Sequence, residues 1–175
     1  ADLDAAVDAV CAGIFEGGGQ SCVAGSRLFV QRTVYARVLE RVVARARALR
    51  VDLPDAEGAQ MGPIASFGHR ERIEQMVDKA RAEGAEILAG GARPAQPRLA
   101  RGAFYLPTVI GGIDNRAAIA RQEIFGPVLC ALCFDDEDDL VAQANDTDYG
   151  LAAGIWTRDF PRAWRIARAL QAGTV

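Results

Sequence analysis

Val128-Leu129-Cys130-Ala131-Leu132-Cys133-Phe134 is an unbroken apolar run, bounded by Pro127 before it and by Asp135-Asp136 after it. A segment this short, with apolar side chains on both of its faces, reads as a strand buried from both sides. Helices alternating with strands would cover such a strand on both faces. The rest of the sequence supplies them. Leu3, Ala6, Val7, Val10 and Ile14 recur at helical spacing. Thr33 is placed to cap a second helix, with Val34, Val38, Val42 and Ala46 on one face and Tyr35, Leu39, Val43 and Leu49 widening it. Ser66 opens a third, carrying Ile73, Met76, Val77 and Ala80 and ending near Gly84. Residues 137–145 predict a fourth, with Leu140, Val141 and Ala144 inward, and Asp159 caps a fifth with Ala163, Trp164, Ala167 and Leu170.

Short strands are predicted over 27–31, 86–89 and 151–157. Residues 104–110 read as extended, with Pro107 arguing for an edge or irregular position. Residues 52–63 and the polar, proline-bearing 92–102 read as loops. The expected fold class is α/β: an open, mostly parallel twisted sheet with helices on both faces. No internal repeat or linker divides the 175 residues, so one domain is expected.

The net charge of −3 gives no footprint for nucleic acid or an anionic membrane surface. No apolar run is long enough to span a bilayer, and Ala1-Asp2-Leu3-Asp4 lacks the basic and apolar regions of a signal peptide. Four cysteines in a chain of this size do not form a disulfide scaffold, which points to a reducing cytoplasm. The missing initiator methionine and the strand-like Gly173-Thr174-Val175 suggest a piece of a longer protein.

Cys22 is the leading candidate for chemistry. It sits in Gly17-Gly18-Gly19-Gln20-Ser21-Cys22-Val23-Ala24-Gly25-Ser26-Arg27, with little side-chain bulk on either side. A nucleophilic sulfur needs such clearance for a carbonyl carbon to reach it. Backbone N–H groups in a tight loop can also stabilise negative charge on sulfur or on a developing oxyanion. On the loop alone, a buried cysteine packed as a small hydrophobe is the commoner reading.

Gln122-Glu123-Ile124-Phe125-Gly126-Pro127 stands just ahead of the apolar strand, where ligands gather in open α/β sheets. The Glu123 carboxylate could accept two hydrogen bonds from a vicinal diol, and the Phe125 ring could cover a flat heterocycle. A solvated glutamate and a core phenylalanine are the alternative. Cys130 and Cys133 form a C-x-x-C pair, but residues three apart on a strand face opposite ways. No second pair or histidine cluster completes a metal site, so both read as packing residues, as does Cys11. His69, the only histidine, lies on the polar side of its helix beside Arg70 and Arg72, with no partner visible in the sequence. No G-x-G-x-x-G follows a strand and no P-loop is present.

Four segments in order resemble the NAD(P)-dependent aldehyde dehydrogenase family: Gly19-Gln20-Ser21-Cys22 with Ala24-Gly25-Ser26-Arg27; Glu123-Ile124-Phe125-Gly126-Pro127-Val128; Ala144-Asn145-Asp146-Thr147 with Tyr149-Gly150-Leu151-Ala152-Ala153; and Ala172-Gly173-Thr174-Val175. Ala1 to Val7 resembles the start of the helix that precedes the family's active-site loop. The resemblance runs through nearly the whole chain and implies its catalytic domain. By position it implies that Cys22 attacks an aldehyde carbon, with its own backbone N–H as one oxyanion donor, and passes through a thiohemiacetal and a thioester. It implies that Glu123 binds the nicotinamide ribose of NAD or NADP and that Phe125 packs near the nicotinamide.

The resemblance also implies absences. The family's dinucleotide-binding domain, its oxyanion-hole asparagine and its general-base glutamate lie upstream of these residues. Segments that line the substrate entrance and make oligomer contacts are missing too. The 175 residues are therefore expected to be inactive alone and to expose apolar surface, and the full-length protein to be a homodimer or homotetramer acting on a small-molecule aldehyde. A CoA-acylating relative and a non-catalytic homologue are the alternatives; the wording around Cys22 resembles the hydrolytic branch more closely.

Overall fold

The computed structural model describes residues 2–175. Its sheet has four strands: β1 (Arg27–Gln31), β2 (Glu86–Ala89), β3 (Thr108–Gly111) and β4 (Val128–Phe134), in the order β1-β4-β3-β2. The β1–β4 and β3–β4 pairs are parallel, and β2 joins β3 antiparallel at the edge. The apolar run is thus an interior strand with neighbours on both sides. Its alternate residues divide between two cores. Val128 and Cys130 pack with Ile73, Val77 and Ala80 of helix α3 (Phe67–Ala82). Leu129 packs with Val7, Cys11 and Ile14 of α1 (Leu3–Phe15) and with Val38 and Val42 of α2 (Tyr35–Ala48). One strand therefore specifies the whole layer order: α1 and α2 on one face, α3 on the other. Burying side chains as large as Leu129, Ile73 and Val42 contributes about 1.5 to 3 kcal/mol each.

Helix ends follow local chemistry. The Ser66 Oγ accepts from the His69 N–H, which caps α3. Asp136 and Asp159 do the same for α4 (Glu137–Asn145) and α5 (Phe160–Ala169). Thr33, by contrast, caps nothing. A 3-10 turn over Arg32–Val34 leads into α2, whose cap residue Val34 has no polar side chain to offer.

Two further expectations need correcting. Residues 151–157 form no strand. An extended segment needs a neighbour for its N–H and C=O groups, and here that neighbour amounts to an isolated bridge between Ala152 and Thr174. Of the two positions open to Pro107, an edge or an irregular one, it takes the irregular one. It lies just outside β3, which is interior, and its ring interrupts no ladder because pairing begins at Thr108. The 92–102 segment is not simply a surface loop, since Leu99 is buried against Val51, Met61 and Phe104. Within the 52–63 loop, Met61 bridges to Val51, and the buried Asp52 carboxylate accepts from Arg50 and Arg98. Trp156, Phe160 and Trp164 all present their rings to solvent. Among the described residues, no helix is long and apolar enough to cross a membrane.

Candidate active site

Helix α1 ends at Phe15, and Gly17, Gly18 and Gly19 follow with φ of +62°, +67° and +67°. Three left-handed residues in succession turn the chain sharply, at a steric cost that only glycine escapes. Gly19 is also held at very close range. A Cβ there would collide with the Gly126 carbonyl oxygen and come within 2.5 Å of the Gly126 carbonyl carbon and 2.8 Å of the Ile14 carbonyl oxygen. The glycine loop therefore abuts the turn that leads into β4. The Gln20 side chain fastens it a second time, accepting from the Ala65 N–H at 2.8 Å.

The chain then presents Cys22. The Ala24 N–H donates to the Ser21 carbonyl at 3.0 Å and the Gly25 N–H to the Gly13 carbonyl at 3.1 Å. A tight turn results, with the Cys22 side chain exposed. Immediately beyond it the Cys130 N–H donates to the Ser26 carbonyl at 2.8 Å, and the β1–β4 ladder begins. The loop is thus tied to the β4 region on both sides of the thiol, at Gly19 and at Ser26. The packed-cysteine alternative does not hold for this residue.

It does hold for two others. Cys11 and Cys130 are buried. Burial pushes the Cys11 thiol up to about 11 and the Cys130 thiol up to about 12, because a thiolate is poorly solvated there. Cys130 belongs to the α3-side core and faces away from Cys133, as expected for a strand. Since only the thiolate reacts well, iodoacetamide should alkylate Cys22 before Cys11 or Cys130. Peptide mass spectrometry of the native protein checks this, and labelling of Cys11 or Cys130 as early as Cys22 would contradict the burial of those two thiols.

The second segment is arranged around one anchor. Ile124 is buried in the α3-side core, and its neighbours Glu123 and Phe125 consequently turn outward. Phe125 has φ of +54°, the one left-handed non-glycine among the described residues. For a bulky side chain this conformation costs about 1 to 3 kcal/mol and persists only where surroundings enforce it. The residue remains 38% exposed. The Glu123 backbone is held from two sides: its N–H donates to Tyr149 Oη at 3.3 Å, and its carbonyl accepts from Arg72 at 2.6 Å. An open groove of about 460 Å³ beside it is lined by Arg72, Gln75, Lys79, Glu123 and Tyr149, among others.

Several of these supports were not visible in the sequence. His69 has a partner after all: its Nε2 lies 2.6 Å from the Phe125 carbonyl oxygen. Arg70 is not on a polar face but buried, donating to the Gly102 carbonyl at 3.1 Å. Buried Asn115 accepts from Arg27 at 2.9 Å and donates to the carbonyls of Gln143 and Asp146 at the end of α4. Arg27 itself donates to the Ala144 carbonyl at 3.0 Å. Together they fix the helix end that leads to Tyr149, and so to Glu123. The one available signal was the third motif itself, which places Tyr149 four residues after Asn145.

Comparison with known proteins identifies the family and the fold. The sequence model of the aldehyde dehydrogenase family matches residues 1–175. Betaine aldehyde dehydrogenase of Rhizobium johnstonii is 41% identical over 175 residues, which is all of this chain and 36% of that protein. HpcC from Thermus thermophilus superposes with a TM-score of 0.96 at 45% identity, over all of this chain and 35% of its own. Betaine aldehyde dehydrogenase from Staphylococcus aureus, solved in complex with NAD+, gives a TM-score of 0.98 at 38% identity, again over 35% of that chain. The chain spans about a third of the length of the relatives it matches.

Proposed function

Because the chain belongs to the aldehyde dehydrogenase family, we propose that its full-length protein oxidises an aldehyde to a carboxylic acid with NAD or NADP, using Cys22 as nucleophile. One observation carries the reading. An exposed thiol stands on a loop whose Gly19 abuts Gly126, the residue that follows the outward-facing Glu123 and Phe125.

The chemistry assigned to this chain is covalent. The Cys22 sulfur bonds the aldehyde carbon, and the former carbonyl oxygen takes the negative charge, with the Cys22 backbone N–H as one donor. The nicotinamide, when bound, supplies the hydride acceptor. The thioester then left on Cys22 is hydrolysed by water, which releases the acid and restores the thiol. One hard step becomes two easier ones.

The residues present suit one end of the coenzyme. The Glu123 carboxylate is exposed and free to accept from both hydroxyls of a ribose, and the half-exposed Phe125 ring offers an apolar face to a flat ring. No glycine-rich dinucleotide loop follows any of the four strands. We therefore assign these 175 residues to the thiol-bearing catalytic domain and the dinucleotide-binding domain to sequence outside them. The four free cysteines suit a reducing cytoplasm, where the full-length protein would work as a homodimer or homotetramer.

The test is an aldehyde panel that includes betaine aldehyde, offered to the full-length protein with NAD and with NADP. Reduced coenzyme and free acid should form in equal amounts. Acyl-CoA formed only when coenzyme A is added would favour the acylating alternative. No turnover across the panel would sink the reading. The 175 residues alone should turn over nothing, and clear activity from them would overturn the domain assignment.

A further inference from the structure

We propose that His69 is a positioning residue that sets the orientation of Phe125, and through it the coenzyme's nicotinamide; this rests on the role given to Phe125 above. Phe125 stands in the left-handed region at φ +54°, with a ring too exposed for core packing to hold it there. Its carbonyl oxygen has one hydrogen-bond partner among the described residues, His69 Nε2 at 2.6 Å. A carbonyl only accepts, so Nε2 carries the proton. The imidazole also backs the phenyl ring, with centroids 6.1 Å apart and planes tilted by 58°.

His69 is well placed to fix a geometry because it is fixed itself. Its backbone N–H donates to Ser66 Oγ at 3.1 Å, in the first turn of α3. One residue before Ser66, the Ala65 N–H donates to Gln20 Oε1 in the thiol loop. A continuous strut therefore runs from Phe125 through His69 and the start of α3 to the loop that carries Cys22. The strut sets the ring and the sulfur in one frame. Hydride transfer depends steeply on such alignment.

The test uses the full-length enzyme and four variants: His69→Ala, His69→Phe, His69→Gln and Phe125→Ala. Deleting the donor in His69→Ala should raise the coenzyme KM and lower kcat by about five- to tenfold, the kinetic equivalent of one hydrogen bond. The aldehyde KM and the rate of Cys22 alkylation without coenzyme should not change. A deuterated aldehyde should give a larger isotope effect on kcat, because misalignment slows the hydride step itself. His69→Gln, whose amide N–H can reach the same carbonyl, should restore most of the loss. His69→Phe keeps a ring but no donor and should behave like His69→Ala; it carries the test if the alanine variant is insoluble. Wild-type kinetics in both donor-free variants would overturn the proposal, as would a glutamine variant as impaired as alanine. Equal losses in every constant, together with a lowered melting midpoint, would also overturn it, by reducing His69 to a structural role. If Phe125→Ala impairs coenzyme use while the His69 variants do not, only the His69 role falls. If Phe125→Ala is silent too, the Phe125 role falls with it.

Discussion

Cys22→Ser in the full-length protein is expected to lower aldehyde oxidation by at least about 10⁴-fold, the scale seen when a covalent nucleophile is removed. The two side chains differ by one atom, so the contrast is chemical. Even a small fraction of thiolate is strongly nucleophilic, whereas a serine hydroxyl needs an adjacent base to lose its proton. The substitution should leave the fold nearly untouched. Cys22 is exposed in a turn held by backbone hydrogen bonds, and surface changes of this kind fall within about 0.5 kcal/mol. The discriminating measurement is a pair: loss of reduced-coenzyme formation with coenzyme binding retained, as followed by quenching of protein fluorescence. Measurable turnover by Cys22→Ser, in a preparation free of wild-type enzyme, would remove this sulfur from the reaction.

What the sequence reveals divides along the range of the interactions involved. Strand β4 was legible because its apolar run says the same thing at every position, whichever neighbours it has. The start of α3 was legible because Ser66 satisfies its own helix's N–H groups three residues away. Residues 151–157 were misjudged for the opposite reason. Their composition suits a strand, but a strand exists only where a second one pairs with it, and here Thr174 provides a single bridge. Thr33 has the side chain of a cap, yet the backbone turns one residue too late for it to act. At the candidate site, Cys22, Glu123 and Phe125 stood out because small residues and motif order mark them. The supports did not. His69 meets Phe125 across 56 residues and Arg27 meets Asn115 across 88, and neither pairing leaves a local trace. A histidine on a helix beside two arginines looks solvated until the fold brings an orphan carbonyl to it.

Gly19→Ala should be among the most damaging single-methyl additions in this protein, and Gly17→Ala supplies its control. Both glycines lie in the left-handed region, at φ +67° and +62°, so each alanine carries the same backbone strain of about 1 to 2 kcal/mol. Their surroundings differ completely. A Cβ on Gly17 meets nothing within 4 Å, whereas one on Gly19 runs into the backbone of Gly126 and of Ile14. Backbone cannot swing aside as a flexible side chain does, so overpacking adds about 1 to 3 kcal/mol. The total for Gly19→Ala is then about 2 to 5 kcal/mol, against about 1 to 2 for Gly17→Ala. Urea midpoints of the two variants measure the difference directly. The functional consequence should be just as unequal. Relief of the clash must push the Cys22 loop away from the Gly126 turn, and with it the thiol away from Glu123 and Phe125. Gly19→Ala should therefore lose aldehyde oxidation at temperatures where it remains folded, while Gly17→Ala keeps most of it. Equal midpoints and equal activities would mean that the two loops do not touch at Gly19, and the geometric basis for joining the thiol to the coenzyme-facing segment would be gone.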